Sequence, residues 1–315
     1  MDEHPRTPAR VWLPPEAPAA LVDAVRRGGG EIVPAERANA IVWYGAGHLA
    51  AGQVPMVQAL LGDSVEWVQL EAAGIETWFE HGVVDSARTW TSAAGAYSDA
   101  VAEHAMALLL ASAKRLAECA RADTWRKSEL GGRQFAGSTV GIVGAGGAGR
   151  GVIRRLEPFG VRVLALTRSG ADVPGAERSF GPSGLDELLE VSDYVVLSTP
   201  LTADTQGLIG ARELGLIGPR GVLVNVGRGG LVDTDALVAA LRGGRLGAAC
   251  LDVTEPEPLP DGHPLWSEPR ALITPHVANT RVQLDAALVR RVEQNVARFI
   301  AGEPLLGVID PVAGY

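Results

Sequence analysis

Cysteine is nearly missing from this chain of 315 residues, which holds only two, Cys119 and Cys250, far apart in the sequence. That excludes a disulfide framework and a zinc cluster built on cysteine. Both thiols lie in apolar segments and read as buried side chains in a reducing cytoplasm. Basic charge is also short: 28 Lys and Arg stand against 37 Asp and Glu, giving a net charge of −9. Neither nucleic acid nor an anionic membrane is therefore an expected partner. The longest apolar run, Ala105 to Ala113, is far too short for a bilayer span. The charged start Met1-Asp2-Glu3-His4-Pro5-Arg6 contains no signal-peptide core, so no export is expected. Internal repeats and long polar tracts are lacking too, and length alone suggests about two globular domains.

What the chain does contain is an apolar strand, Thr139 to Val143, running straight into Gly144-Ala145-Gly146-Gly147-Ala148-Gly149. In a Gly-x-Gly-x-x-Gly of this kind Gly144 permits the turn off the strand, Gly146 leaves room for a pyrophosphate, and Gly149 lets the helix pack close to the strand. The phosphates would rest on the helix N-terminus, near Gly147 and Ala148. With 39 glycines in the chain, a plain glycine-rich turn is the competing reading. Past the second strand of this unit stands Thr167-Arg168-Ser169, where an enzyme using NAD normally has Asp or Glu for the ribose 2′-hydroxyl. A guanidinium flanked by hydroxyls suits a 2′-phosphate, so NADP(H) is expected in preference to NAD(H), which stays possible. Alternatively Arg168 stacks on the adenine and selects weakly.

Strand and helix alternate along the chain. Val11 to Leu13, Ile41 to Tyr44 (ending at Gly45-Ala46-Gly47) and Val65 to Leu70 read as strands of a small parallel unit, with a helix over Ala19 to Arg27. The spacing from Tyr97 to Arg121 predicts one long helix, apolar on more than one face and suited to burial between domains or in a homodimer. Glu103 and His104 on it read as structural hydrogen-bonding groups. Further strands are expected at Val161 to Leu166, Tyr194 to Ser198, Gly221 to Val226, Gly247 to Val253 and Ala271 to Thr274, divided by helices such as Gly184 to Glu190 and Thr234 to Arg242. A last helix, Arg281 to Ala301, is expected to return to the first unit and make it discontinuous.

Three strand ends carry ionisable groups: Asn225-Val226-Gly227-Arg228, Asp252-Val253-Thr254-Glu255-Pro256-Glu257-Pro258, and Thr274-Pro275-His276. In a parallel sheet these ends share one edge. Arg228, Glu257 and His276 can then converge on a bound nicotinamide, although each alone would be an ordinary loop charge.

From about Leu70 onward the sequence resembles the D-isomer-specific 2-hydroxyacid dehydrogenases, nearest to glyoxylate and hydroxypyruvate reductases. The resemblance rests on Val101-Ala102-Glu103-His104, the glycine fingerprint, Pro200 to Thr205, Asn225 to Asp233, Asp252-Val253 with Glu257-Pro258, His263-Pro264-Leu265-Trp266, and Thr274-Pro275-His276. It implies an α/β fold class with two Rossmann-like domains. One is a doubly wound parallel-sheet cofactor domain over 97–283; the other is a smaller flavodoxin-like substrate domain over 1–96 and 284–315. It also implies catalytic roles for Arg228, Glu257 and His276. The nucleotide would touch Gly144, Gly146, Gly147, Ala148, Gly149, Thr167, Arg168 and Ser169. Thr199, Pro200, Thr205, Val226 and Gly227 join that set, together with Arg228, Asp252 and His276, with Asp252 holding the carboxamide. Substrate contacts fall on Ala73, Gly74 and Ile75, through backbone N–H groups, and on Arg228 and His276. No metal is implied.

The activity so implied is reduction of a small 2-keto acid to the D-2-hydroxy acid, with His276 as general acid, Glu257 as its partner and Arg228 as substrate anchor. The other class that shares the scaffold is a nucleotide-sensing corepressor with little turnover. His263 reads as structural. Glu71, next to an anion-binding loop, must either face solvent or pair with a basic residue. Trp43, Tyr44 and Trp78 either line the pocket or belong to the core.

Overall fold

The computed structural model describes residues 8–45, 49–125 and 129–314. The N-terminal stretch Met1 to Arg6, and Ala46 and Gly47 of the turn after the second expected strand, lie outside the described residues. The chain divides into two compact units, Met1–Tyr97 with Thr280–Tyr315, and Ser98–Asn279. Among the described residues no helix is long and apolar enough to cross a membrane.

In the first unit, β1 (Arg10–Trp12), β2 (Glu31–Ile32), β3 (Ala40–Val42), β4 (Trp67–Gln69) and β5 (Thr89–Thr91) form a parallel sheet of order β2-β1-β3-β4-β5. This is the flavodoxin-like order, in which the reversal at β1 and β3 opens a crevice at the strand C-termini. All three residues of β4 are buried, because helices cover both faces of a parallel sheet. Gln69 survives there because its carboxamide is satisfied: Asn295 and the Thr91 hydroxyl both donate to Oε1, at 2.9 Å each.

The helix Arg281–Ala301 closes this unit. Thr280 and Gln283 form a capping box at its start, and Gly302, at φ 69°, turns the chain away at its end. Its Leu288, Val292 and Val296 share a core cluster with Leu21, Ala24 and Val25 of the helix Ala19–Arg27. Truncating Leu288 to Ala would cost about 2–5 kcal/mol, the usual range for a leucine in such a site. On the opposite face Trp43, Trp78 and Trp90 pack together, with Trp43 edge-on to Trp78 at 5.5 Å between ring centroids. Trp43 and Trp78 are thus core residues.

In the second unit, β6 (Thr139–Val143), β7 (Arg162–Leu166), β8 (Arg178–Phe180), β9 (Tyr194–Leu197), β10 (Val222–Asn225), β11 (Ala248–Leu251) and β12 (Ala271–Ile273) make one parallel sheet of order β12-β11-β10-β9-β6-β7-β8. β6 is flanked by β7 on one side and β9 on the other, so the order reverses where the glycine fingerprint leaves the sheet. That is the topological switch point of a doubly wound fold.

Two expectations fail here. The stretch from Tyr97 to Arg121 is not one helix: it runs Ser98–Ala113, breaks at Arg115 in the left-handed region (φ 53°), and resumes as the short helix Leu116–Ala120. The break lets Arg115 bond Glu118 and the Glu129 carbonyl. Part of the apolar surface of Ser98–Ala113 packs within its own unit, where Ala105, Leu108 and Leu109 lie in the cluster formed with β6, β9 and β10. Cys119, on the short surface helix, is exposed rather than buried. Cys250 in β11 is buried, which pushes its thiol pKa up to about 12.

Candidate functional site

At the fingerprint the chain's own packing requires two of the three motif glycines. Gly144 has φ 96°, and a Cβ on it would come within 2.7 Å of the Thr199 nitrogen. A Cβ at Gly149 would meet the Gly144 carbonyl at 2.2 Å, while one at Gly146 would touch nothing within 4 Å. Tight turn, open space and close packing therefore follow one another along the motif in the order a pyrophosphate requires. The Ser198 hydroxyl donates to the Gly144 carbonyl at 2.7 Å and holds the turn against β9. The helix Gly147–Leu156 begins at once, with its first N–H groups at the sheet edge.

At the end of β7 the Thr167 hydroxyl is buried and, among the described residues, has no hydrogen-bond partner, next to the exposed Arg168 and Ser169. A buried hydroxyl without a partner is costly unless a ligand or water completes it. That hydroxyl and the open space over Gly146 fit the ribose and pyrophosphate of a dinucleotide. Thr199 and Pro200 follow β9. The Thr205 hydroxyl is occupied locally, donating to the Pro200 carbonyl at 2.8 Å and accepting from the Thr202 N–H at 2.8 Å.

The ends of β10, β11 and β12 assemble the charged groups. After β10 the Asn225 amide donates to the Arg228 carbonyl at 2.8 Å, and its oxygen accepts from the Gly227 N–H at 3.0 Å. The same turn projects Arg228, whose Nη1 donates to the Gly227 carbonyl at 2.7 Å. Val226 is buried beside it. A Cβ on Gly229 would lie 1.9 Å from the Thr254 carbonyl, so the loop bearing Glu257 is pressed against the loop bearing Arg228.

After β11, Asp252 is 2% exposed and points inward. Its Oδ1 accepts from the Thr274 hydroxyl at 2.6 Å and the Val277 N–H at 3.0 Å, and its Oδ2 from the Ala278 N–H at 3.0 Å. The His276 N–H donates to the Asp252 carbonyl at 2.8 Å. Asp252 therefore clamps both sides of His276, which has the left-handed φ of 51° that an L-residue adopts only when its surroundings impose it. His104 adds to this clamp, with Nε2 2.9 Å from the Thr274 hydroxyl and 3.2 Å from Asp252 Oδ1. It supports the site from below, as the sequence suggested.

So fixed, the His276 ring places Nδ1 2.6 Å from Glu257 Oε1. The hydrogen bond to Glu257 raises the histidine pKa, partial burial opposes it, and the Arg228 charge also pulls it down. Glu257 is held below the usual carboxylate range, first by that hydrogen bond, against its own desolvation. Arg228 acts on both, so the three groups occupy one electrostatic neighbourhood. A titratable imidazole, a carboxylate bonded to it and a guanidinium acting on both make a set chemically able to exchange a proton and to bind an anion. His263 caps the helix Pro264–Ser267, its Nδ1 accepting from the Leu265 N–H at 3.3 Å.

In the other unit, Ala73, Gly74 and Ile75 follow β4. The Ala73 N–H, expected to face substrate, is already used, donating to the Tyr97 hydroxyl at 2.6 Å, a contact that no motif or spacing announces. Among the described residues the N–H groups of Gly74 and Ile75 make no such bond. Glu71 is 1% exposed. Of the two orientations open to it, pairing with a basic residue is the one found: Arg281 Nη2 lies 3.5 Å from its Oε2. The clamp role of Asp252 and the partnership of Arg281 were both missed in the sequence. The alternation of Asp252 with Thr274 at neighbouring strand ends is the signal that could have found the first.

Comparison with known proteins agrees with this architecture. A family model described as D-isomer specific 2-hydroxyacid dehydrogenase, NAD binding domain, matches residues 105–278. A glyoxylate reductase of Thermococcus litoralis is 36% identical over 225 residues, spanning 68% of this chain and 67% of that protein. A D-isomer specific 2-hydroxyacid dehydrogenase of Xanthobacter autotrophicus, solved with NADPH and MES, superposes with a TM-score of 0.83 at 26% identity, covering 98% of this chain and all of the other. An NADPH-dependent glyoxylate/hydroxypyruvate reductase of Sinorhizobium meliloti, solved with NADP and sulfate, gives 0.79 at 27% identity, covering 98% and 100%.

Proposed function

This chain belongs to the D-isomer specific 2-hydroxyacid dehydrogenase family, an NAD(P)-dependent class of oxidoreductases, and from that premise we propose that it reduces a small 2-keto acid of glyoxylate or hydroxypyruvate type to the D-2-hydroxy acid, preferring NADPH. The observation that carries the reading is the 2.6 Å bond between His276 and Glu257, on a backbone clamped by Asp252 and beside Arg228. When bound, the nicotinamide supplies the hydride to the carbonyl carbon.

The protein's part is the proton and the aim. As the carbonyl oxygen gains charge, the imidazolium of His276 gives it a proton from Nε2, while Nδ1 stays bonded to Glu257. Glu257 keeps the ring protonated and oriented. Arg228 grips the substrate carboxylate and polarises the carbonyl. Gly74 and Ile75, in the other unit, are read as backbone N–H donors to a carboxylate. Arg168, with Thr167 and Ser169, supports the preference for the 2′-phosphate, and the two similar structures named above hold NADPH or NADP.

A panel of 2-keto acids assayed with NADPH and with NADH, following consumption of the reduced cofactor, tests both halves. Turnover of glyoxylate or hydroxypyruvate, faster with NADPH, is the expected result. Cofactor oxidation that no 2-keto acid accelerates would end the proposal.

A further inference from the structure

The carboxylate of Glu71 is an odd neighbour for a loop that is to bind an anion. It is fully buried two residues before Ala73, with Oε2 accepting from the Gly45 N–H at 3.0 Å. Among the described residues the cation set against it is Arg281, the first residue of the helix Arg281–Ala301. That guanidinium is well fixed. Its Nε lies 2.9 Å from Asp285 Oδ1 one turn along the helix, its Nη1 donates to the Gly45 carbonyl at 3.4 Å, and its Cζ lies 4.6 Å from the centre of the Tyr44 ring. Tyr44 is tied in as well, with its hydroxyl 3.4 Å from Asp285 Oδ1.

We propose that Arg281 is a specificity-determining residue, which by pairing with buried Glu71 removes a fixed negative charge from beside the Ala73–Ile75 loop and so admits an anionic substrate. The inference rests on the reading of that loop as the carboxylate site. Burial decides which carboxylate matters. The Glu71 side chain is 1% exposed, so its field is poorly screened, whereas Asp285, 35% exposed, is largely answered by water. The pair thus acts on ground-state binding of the anion, through charge, and has no part in moving the proton or the hydride. It predicts exclusion of neither small nor large side chains; it predicts a requirement for overall neutrality in this wall.

The test is a cycle of Arg281→Ala, Arg281→Lys, Glu71→Gln and the double variant Glu71→Gln/Arg281→Ala in the full chain. Two readouts are used: steady-state kinetics with glyoxylate, and binding of oxalate, a dianion that cannot be reduced, followed by tryptophan fluorescence. Arg281→Ala should raise KM for glyoxylate and Kd for oxalate about tenfold or more while kcat stays within about twofold, the size expected of one unscreened charge. Arg281→Lys, Glu71→Gln and the double variant should all stay near the parent protein. The split between KM and kcat separates charge from folding, because an unfolded fraction lowers the apparent kcat and leaves KM and Kd unchanged. Arg281→Ala that binds oxalate as well as the parent, or a double variant as weak as Arg281→Ala, overturns the inference, as does a parent protein that binds no oxalate. If the parent reduces no 2-keto acid but the oxalate pattern holds, the reductase reading fails and this one stands.

Discussion

Replacing Glu257 by Gln is the most direct probe of the proton donor, because it removes a charge while leaving an oxygen that can still accept from Nδ1. The 2.6 Å bond is charge-assisted, and such bonds contribute about 1.5–3 kcal/mol when shielded from water. Here the His276 and Glu257 side chains are 45% and 41% exposed, so solvent screening reduces the figure to about 1 kcal/mol. Without the charged partner that raises it, the histidine pKa should fall in the variant. The sign follows from the direction of the native shift. Glu257 raises the His276 pKa, reduction needs the protonated ring, and activity is therefore full below that raised pKa and lost as pH climbs through it. Without the carboxylate the falling limb of the kcat/KM profile moves to lower pH. On the alkaline side the variant should be slower by about fivefold, the rate equivalent of about 1 kcal/mol. Glu257→Ala should lose more, since orientation goes as well. The assay is kcat/KM for 2-keto acid reduction across the pH range in which the cofactor is stable. An unchanged limb in Glu257→Gln, or one displaced upward, would refute Glu257 as the group that holds the proton on His276.

Three further outcomes are expected. Arg168→Ala should lower the NADPH to NADH ratio of kcat/KM by about 10- to 100-fold, the worth of a charge-assisted phosphate contact; a constant ratio would remove Arg168 from cofactor choice. Asp252→Ala, which strands the Val277 and Ala278 N–H groups and the Thr274 hydroxyl, should cost about 3–5 kcal/mol in urea denaturation, and wild-type stability would show the clamp to be dispensable. Gly149→Ala should abolish nucleotide binding measured by calorimetry, because its methyl carbon would lie 2.2 Å from the Gly144 carbonyl; normal affinity would mean that the turn relaxes.

Much of this was legible in the residues, and the limits are physical. Steric demand is written locally, so the fingerprint glycines could be assigned one by one, and the parallel strands of the second unit read as apolar runs because both faces are covered. The α/β class and the doubly wound sheet follow from those runs. Short edge elements escaped: β8, three residues led by an exposed Arg178, and the helix Ala211–Ile217 carry too little pattern to stand out. The break at Arg115 escaped because a left-handed arginine, held by Glu118 and a distant carbonyl, has no signature of its own. In the site, Arg228, Glu257 and His276 could be named from their places after strands. That Asp252 spends its carboxylate on the backbone around His276, and that Arg281 answers Glu71 across a long sequence separation, are tertiary facts which composition and spacing do not encode.

The left-handed backbone at position 276 means that evolution toward robustness and evolution toward turnover pull this site in opposite directions. Glycine or asparagine would occupy that conformation with less penalty than an imidazole-bearing residue, so a library randomised at this position and screened for heat tolerance should fill with those two. Every such winner would be a sturdier protein with an idle reaction centre.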